Sequence, residues 1–218
     1  MSKSVSINHH PSEALLVDYA SGAMGAAQAL VLAAHVHACP RCRAEVEALE
    51  GVGGALLEGL PDEALSEDAL EQVLARLEQP APPPAPVVTT TQPADWIRVS
   101  PEVAEAAKRK RWLAPGVWVA PIDTGTEGGP LSYLLGVGAR LRMPVHTHRG
   151  CELTLVLKGA FRDGREVYAA GDLAEADDDI QHSPAIMGQG ECVCLVACDN
   201  RLVVKEWLGK VVQTYAGI

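Results

Sequence analysis

The run His35-Val36-His37-Ala38-Cys39-Pro40-Arg41-Cys42 places a histidine one helical turn before a cysteine, with a second cysteine three positions further on. On a helix, positions i and i+4 share a face, so His35 and Cys39 can reach one ion. Cys39 and Cys42 add two thiolates one turn apart, which is the spacing of structural zinc sites. Pro40 suits the first turn of a new helix, where its missing N–H would have no partner anyway. A tetrahedral site needs a fourth ligand. His9 and His10 are the candidates upstream, and spacing alone does not separate them. Apart from His37, residues 1–80 hold no other histidine or cysteine. The plainer reading is two buried cysteines beside an unrelated histidine.

A second constellation lies in the other half of the chain. His146 and His148 are two apart, so on a strand both point to one face. Glu152 follows, then Gly159, and further on Gly171-Asp172 opens a stretch that ends at His182. Three imidazoles and a carboxylate converging inside a barrel make a site for zinc, iron, manganese or nickel, and these ligand types do not choose among them. Four more cysteines stand nearby: Cys151, Cys192, Cys194 and Cys198. Cys192 and Cys194 share one face of a strand and are candidate redox-responsive thiols. Neighbouring same-face positions lie somewhat beyond ordinary disulfide reach. The plainer role for all four is small apolar filler.

The elements that must carry these residues change character along the chain. Residues 11–79 read as helical. Ser12 is placed to cap a first helix bearing Leu15, Leu16 and Tyr19. Ala26 to Ala38 reads as a second helix, apolar on most sides, and Pro40 to about Leu57 as a third. After the Gly59-Leu60-Pro61 break, Ser66 is placed to cap a fourth, with Leu70, Val73, Leu74 and Leu77 on one stripe. The stretch Pro80 to Pro93 has six prolines in fourteen positions and reads as an extended spacer. Beyond it, Val117 to Pro121, Leu131 to Val137, Glu152 to Lys158, Val167 to Tyr168 and Cys192 to Cys198 read as strands between glycine-bearing turns. Regular short strands without helices indicate a closed sandwich or barrel.

The net charge of −10 is uneven. Residues 1–80 carry 4 basic and 12 acidic side chains, and the remainder 14 and 16. Phosphate contacts need cations, so direct DNA binding by the acidic N-terminal part is not expected. A basic protein surface is the better-matched partner. The first residues lack the apolar core of a signal peptide, and no run reaches membrane-spanning length. The expected location is cytoplasmic, where six cysteines serve as ligands, sensors or buried hydrophobes more readily than as disulfides.

The C-terminal half resembles a cupin. His146-x-His148-x3-Glu152-x6-Gly159 matches the first cupin motif, and Gly171 and His182 match the second. The match departs from the pattern at Asp177, Asp179 and Ile186, where the second motif carries Pro, Gly and Asn. The N-terminal half resembles the zinc-binding anti-sigma domain, marked by His-x3-Cys-x2-Cys and an upstream histidine. Both modules in this order, with the stretches His9-His10-x-Ser-x-Ala-Leu-Leu and Glu152-Leu-Thr-Leu-Val-Leu-x-Gly-Ala-Phe-Arg-Asp, resemble an anti-sigma factor of the ChrR type over nearly the whole chain.

This resemblance implies three segments: a zinc-stabilised all-α bundle over 1–79, a proline-rich linker over 80–94, and an all-β, jelly-roll-like cupin barrel over 95–218. It implies a first zinc site of His10, His35, Cys39 and Cys42, taking His10 rather than His9. It also implies a cupin metal site of His146, His148, Glu152 and His182, with zinc in both, two ions per chain. The expected partner is an extracytoplasmic-function-type sigma factor, held away from RNA polymerase by the N-terminal module. Leu70, Val73, Leu74 and Leu77 are its candidate contact face, the alternative being that this stripe packs on the first three helices. The cupin module is expected to release that partner under oxidative stress from singlet oxygen or organic peroxides. The chain is thus expected to be a transcriptional regulator and not an enzyme. The competing expectation is a metal-dependent, dioxygenase-like cupin enzyme with a helical regulatory domain, since a complete ligand set is common to both classes.

Overall fold

A computed structural model of the chain describes residues 6–80, 97, 99–125, 131–147, 150–177 and 181–199, and the backbone of 203–204. The proline-rich spacer and His148 lie outside the described residues. The helices are α1 (Glu13–Ala20), α2 (Ala26–Ala38), α3 (Pro40–Glu58), α4 (Ala69–Leu77) and α5 (Pro101–Ala106). The strands are β1 (Arg111–Ala114), β2 (Val117–Ile122), β3 (Leu131–Val137), β4 (His146–Thr147), β5 (Glu152–Lys158), β6 (Ala160–Asp163), β7 (Glu166–Ala169), β8 (Leu173–Ala176), β9 (Ala185–Met187), β10 (Cys192–Cys198) and β11 (Val203–Val204).

The strands form antiparallel sheets. A six-stranded sheet runs β1-β2-β3-β10-β5-β8, a three-stranded sheet runs β7-β6-β9, and β11 pairs with β4. The architecture is a helical N-terminal region followed by a jelly-roll-like β unit, with two sheets facing each other rather than one closed barrel. All seven residues of β10 are buried, because both faces of the large sheet are covered. Side chains alternate across a strand. Cys192, Cys194, Val196 and Cys198 therefore point into the interior with Val119, Tyr133, Val156, Phe161 and Ile186. Val193, Leu195 and Ala197 point outward into a second cluster with Leu16, Val31 and Leu32 of the helices. α2 lies across β10, β5 and β3. The helical region and the β unit thus share one hydrophobic cluster, while the other lies within the β unit. That accounts for α2 being apolar on most sides: it packs on α3 and on the sheet.

Two capping expectations are corrected. Ser12 does occupy the residue before α1, but it makes no side-chain cap. Its Oγ–H and N–H both donate to the Glu175 carboxylate of β8, each at 3.3 Å, so the hydroxyl is oriented toward an ionised acceptor on the sheet. Ser66 does not start the fourth helix. Its carbonyl accepts from Ala69 N–H at 3.0 Å in a preceding turn, and the helix begins two residues later than expected, after Asp68.

Candidate metal centres

Cys39 is the pivot of the first centre. Its extended backbone, φ −102° and ψ 107°, ends α2 and begins α3, with Pro40 in the first turn of α3. The corner brings His35 from the last turn of α2 against Cys42 from the first turn of α3, with His35 Nε2 3.3 Å from Cys42 Sγ. His10 enters from the segment before α1, and its Nδ1 stands 3.4 Å from both Cys39 Sγ and Cys42 Sγ. The four donor atoms all lie within 4.8 Å of one another, and His35, Cys39 and Cys42 are buried. Tetrahedral zinc with Zn–N bonds of about 2.0 Å and Zn–S bonds of about 2.3 Å separates its ligand atoms by roughly 3.5 Å. This His2Cys2 group is therefore already at the size of a tetrahedral ion and can hold one.

The electrostatics fit the same use. Burial pushes the His35 imidazole down to about 4, so it stays neutral with a lone pair to offer. His35 Nδ1 donates to the Gly171 carbonyl at 3.0 Å, which leaves Nε2 as the donor toward a metal. Burial, and then the neighbouring Cys39, push the Cys42 thiol up to about 12. Two buried thiols do not ionise side by side unless a cation offsets their charge.

His9 belongs elsewhere. Its ring packs 4.3 Å from the Tyr168 ring, with Nε2 3.4 Å from Glu166 Oε2 and Nδ1 3.3 Å from Asp172 Oδ2. His37 is exposed on α2. Neither reaches the cluster.

The second group sits inside the β unit. His146 and His182 form an isolated antiparallel bridge, each N–H donating to the other's carbonyl at 3.1 and 3.2 Å. Their ring centroids are 4.4 Å apart. His146 Nδ1 donates to Pro144 O at 2.8 Å, and His182 Nδ1 lies 2.5 Å from Asp163 Oδ2. Both rings therefore turn Nε2 away from these partners. Glu152 is buried at the start of β5. It accepts from Thr154 Oγ at 3.2 Å and from the Cys198 thiol at 3.3 Å. Burial raises the Glu152 carboxyl above its usual range, while the nearby His182 acts to lower it. Three of the four residues expected for this centre thus lie together, and His148 falls outside the described residues. Asp163 and Cys198 were not anticipated here. They are brought in by the pairing of β6 with β9 and of β10 with β5, which leaves no local mark in the sequence.

Comparison with known proteins assigns the family. A family model described as the ChrR cupin-like domain matches residues 100–200. The anti-sigma-E factor ChrR of Cereibacter sphaeroides is 39% identical over 213 residues, covering 97% of this chain and 99% of that protein. The chain belongs to the ChrR family of anti-sigma factors. A crystal structure of Rhodobacter sphaeroides SigE in complex with the anti-sigma ChrR aligns with a TM-score of 0.74 and 39% identity. That alignment covers 89% of this chain and all of the matched one.

In this ChrR-family chain, α4 makes no buried contact: Leu70, Val73, Leu74 and Leu77 are 71%, 53%, 52% and 76% exposed. The exposed apolar surface also takes in Leu56 and Leu57 at the end of α3, and Leu60 and Leu65 in the connection. The sequence reading missed these four, because it looked for periodicity within α4 and they lie before it. Cys192 and Cys194 are buried with their sulfurs 3.8 Å apart. No helix among the described residues is long and apolar enough to cross a membrane.

Proposed function

We propose that this chain is an anti-sigma factor: a regulator, not an enzyme, that holds a sigma factor inactive in the cytoplasm. The observation that carries the reading is the unpartnered α4 with its four outward apolar side chains, in a chain 39% identical to an anti-sigma factor over nearly its full length. Fully burying one such side chain is worth about 1.5–3 kcal/mol. Four of them on one short helix make a sufficient core for a helix-in-groove interface.

Zinc is the metal proposed for His10, His35, Cys39 and Cys42. Two thiolates and two imidazoles in a closed, buried set form a structural zinc site with no open position. Its task is to pin the His10 segment to the α2–α3 corner. Zinc is also the proposed metal of the His146, His148, Glu152 and His182 centre, giving two ions per chain. That second centre is proposed as the sensor that releases the sigma factor under oxidative stress. The Cys192 and Cys194 thiols, buried beside it, are proposed as a redox-responsive pair that reacts only when β10 opens.

The test is reconstitution. The full chain is co-expressed with a candidate extracytoplasmic-function-type sigma factor from the same genome and purified on a tag. Co-purification of the two proteins, and its loss for Leu70→Asp/Leu74→Asp, is the expected result. A zinc-loaded chain that retains no sigma factor, yet turns over oxygen with a small diketone, would move the enzyme reading to the front.

A further inference from the structure

The first centre is built by more than the helices that bear its ligands. Gly171, at φ +96°, turns the chain into β8 and sends its carbonyl to His35 Nδ1. The next residue, Asp172, is 1% exposed although it is a carboxylate. Its Oδ1 accepts from Asn8 N–H at 2.7 Å and from His9 N–H at 3.1 Å. Its Oδ2 accepts from Ala169 N–H at 2.9 Å. Leu173 N–H donates to the His9 carbonyl at 3.2 Å, so the segment before α1 lies along the free edge of β8. His10 is the next residue of that segment. Two of the four donors are therefore set in place from the β unit: His35 by a carbonyl on its far nitrogen, and His10 through the backbone just before it.

We propose that Asp172 is a positioning residue of the N-terminal metal centre, fastening the Asn8–His9 backbone so that His10 closes the His35–Cys39–Cys42 set. The proposal rests on the reading that these four residues hold zinc. Its physical basis is that a buried carboxylate accepting several N–H bonds is costly to remove, because each donor is left without a partner. The loosened donors here flank a ligand. The β unit thereby acts on the metal centre of the helical region without supplying a ligand to it.

The test uses the full-length protein loaded with Co(II) or Zn(II). Only the first centre contains thiolates, so the sulfur-to-cobalt charge-transfer band reports that centre alone. Affinity is read by competition with a chromophoric chelator. Asp172→Ala is expected to weaken binding by roughly 10–100-fold, as loss of outer-shell support does, and to alter the cobalt band. Asp172→Asn, which keeps one oxygen acceptor, is expected to recover part of the loss. Glu175→Ala removes a different, exposed contact of the same interface, to Ser12, and is expected to leave affinity within about twofold, as a site not coupled to the ligands should.

With His10→Ala already present, Asp172→Asn should have no further effect on affinity, which separates positioning from general weakening. If Asp172→Ala matches the wild type, or if Glu175→Ala weakens binding equally, the proposal is overturned. A wild-type chain that yields no charge-transfer band would instead overturn the zinc reading itself, and this inference with it.

Discussion

His35 carries two obligations at once. One ring nitrogen faces Cys42 and the other donates to Gly171 across the shared core, so the ring is held in one tautomer and one orientation. Truncating it removes a ligand and leaves a buried carbonyl without its donor. His35→Ala or Cys39→Ala is therefore expected to lose zinc from the first centre and to abolish sigma-factor capture. Chelator competition and co-purification measure the two losses. Metal binding adds folding free energy directly, so a strong chelator should also lower the melting temperature of the wild type while leaving that of His35→Ala nearly unchanged. The cupin ligands make the opposite prediction. His146→Ala and Glu152→Gln lie away from α4, so they are expected to keep sigma-factor binding and to block its release by oxidant. Constitutive release by either would refute the proposed division of labour.

At this scale, ligand type and spacing were readable for His35, Cys39 and Cys42, because one helix and one turn fix them. The choice of His10 over His9 was not readable from spacing. It depends on which neighbour faces α2 and which faces Tyr168, and only the packing of the segment on β8 decides that.

Among the elements, α4 and β10 are opposites. Every residue of β10 is buried, and no residue of α4 is. The α2 bounds and the β3, β5 and β10 bounds were legible residue for residue, since long apolar runs between turn signals leave little choice. Four-residue strands such as β6 and β8 mix polar and apolar side chains and lack that signature. The α4 stripe was legible as an amphipathic face, but whether it packed on its own helices or stayed open was not, because such a pattern marks a face without saying what covers it. A single charge at the centre of an apolar interface is strongly unfavourable, so Leu74→Asp alone should weaken the sigma-factor complex by about 30-fold or more, measured by calorimetry. It should leave the melting temperature of the free chain unchanged, since Leu74 is already 52% exposed.

For β10 the expectation concerns access. The Cys194 thiol is held well above its ordinary range by its bond to Cys192 and by burial, and thiolate is the reactive form. Both thiols are also buried, so in the folded chain they should react with a thiol reagent at least about 100-fold more slowly than after unfolding, as followed by mass spectrometry. Equal rates would mean that β10 opens freely.

At the scale of the whole molecule, the proline-rich stretch reads as a spacer between two units. The structure joins these units through one hydrophobic cluster and several polar contacts. α2 rests on β10, β5 and β3. Asp199 lies at the end of β10 and accepts from Gln28 of α2 at 2.5 Å and from Cys151 N–H at 2.8 Å. Gly150, at φ +83°, lets that carboxylate approach: a Cβ there would stand 2.6 Å from it. Cys151 adjoins Glu152 of the cupin centre, and Gly171 and Asp172 adjoin the first centre. The first centre and the proposed cupin centre thus both adjoin contacts between the helical region and the β unit. The physical consequence is testable by cutting the chain. With a specific protease site inserted within residues 81–96 and cleaved, the helical and β fragments are expected to stay together on size exclusion. They are also expected to keep the thermal transition of the intact chain to within a few degrees, because the shared core and not the covalent connection holds them. Fragments that separate at micromolar concentration would show that the connection is what keeps the helices on the sheet, and release of the sigma factor would then have to proceed by undocking of whole units.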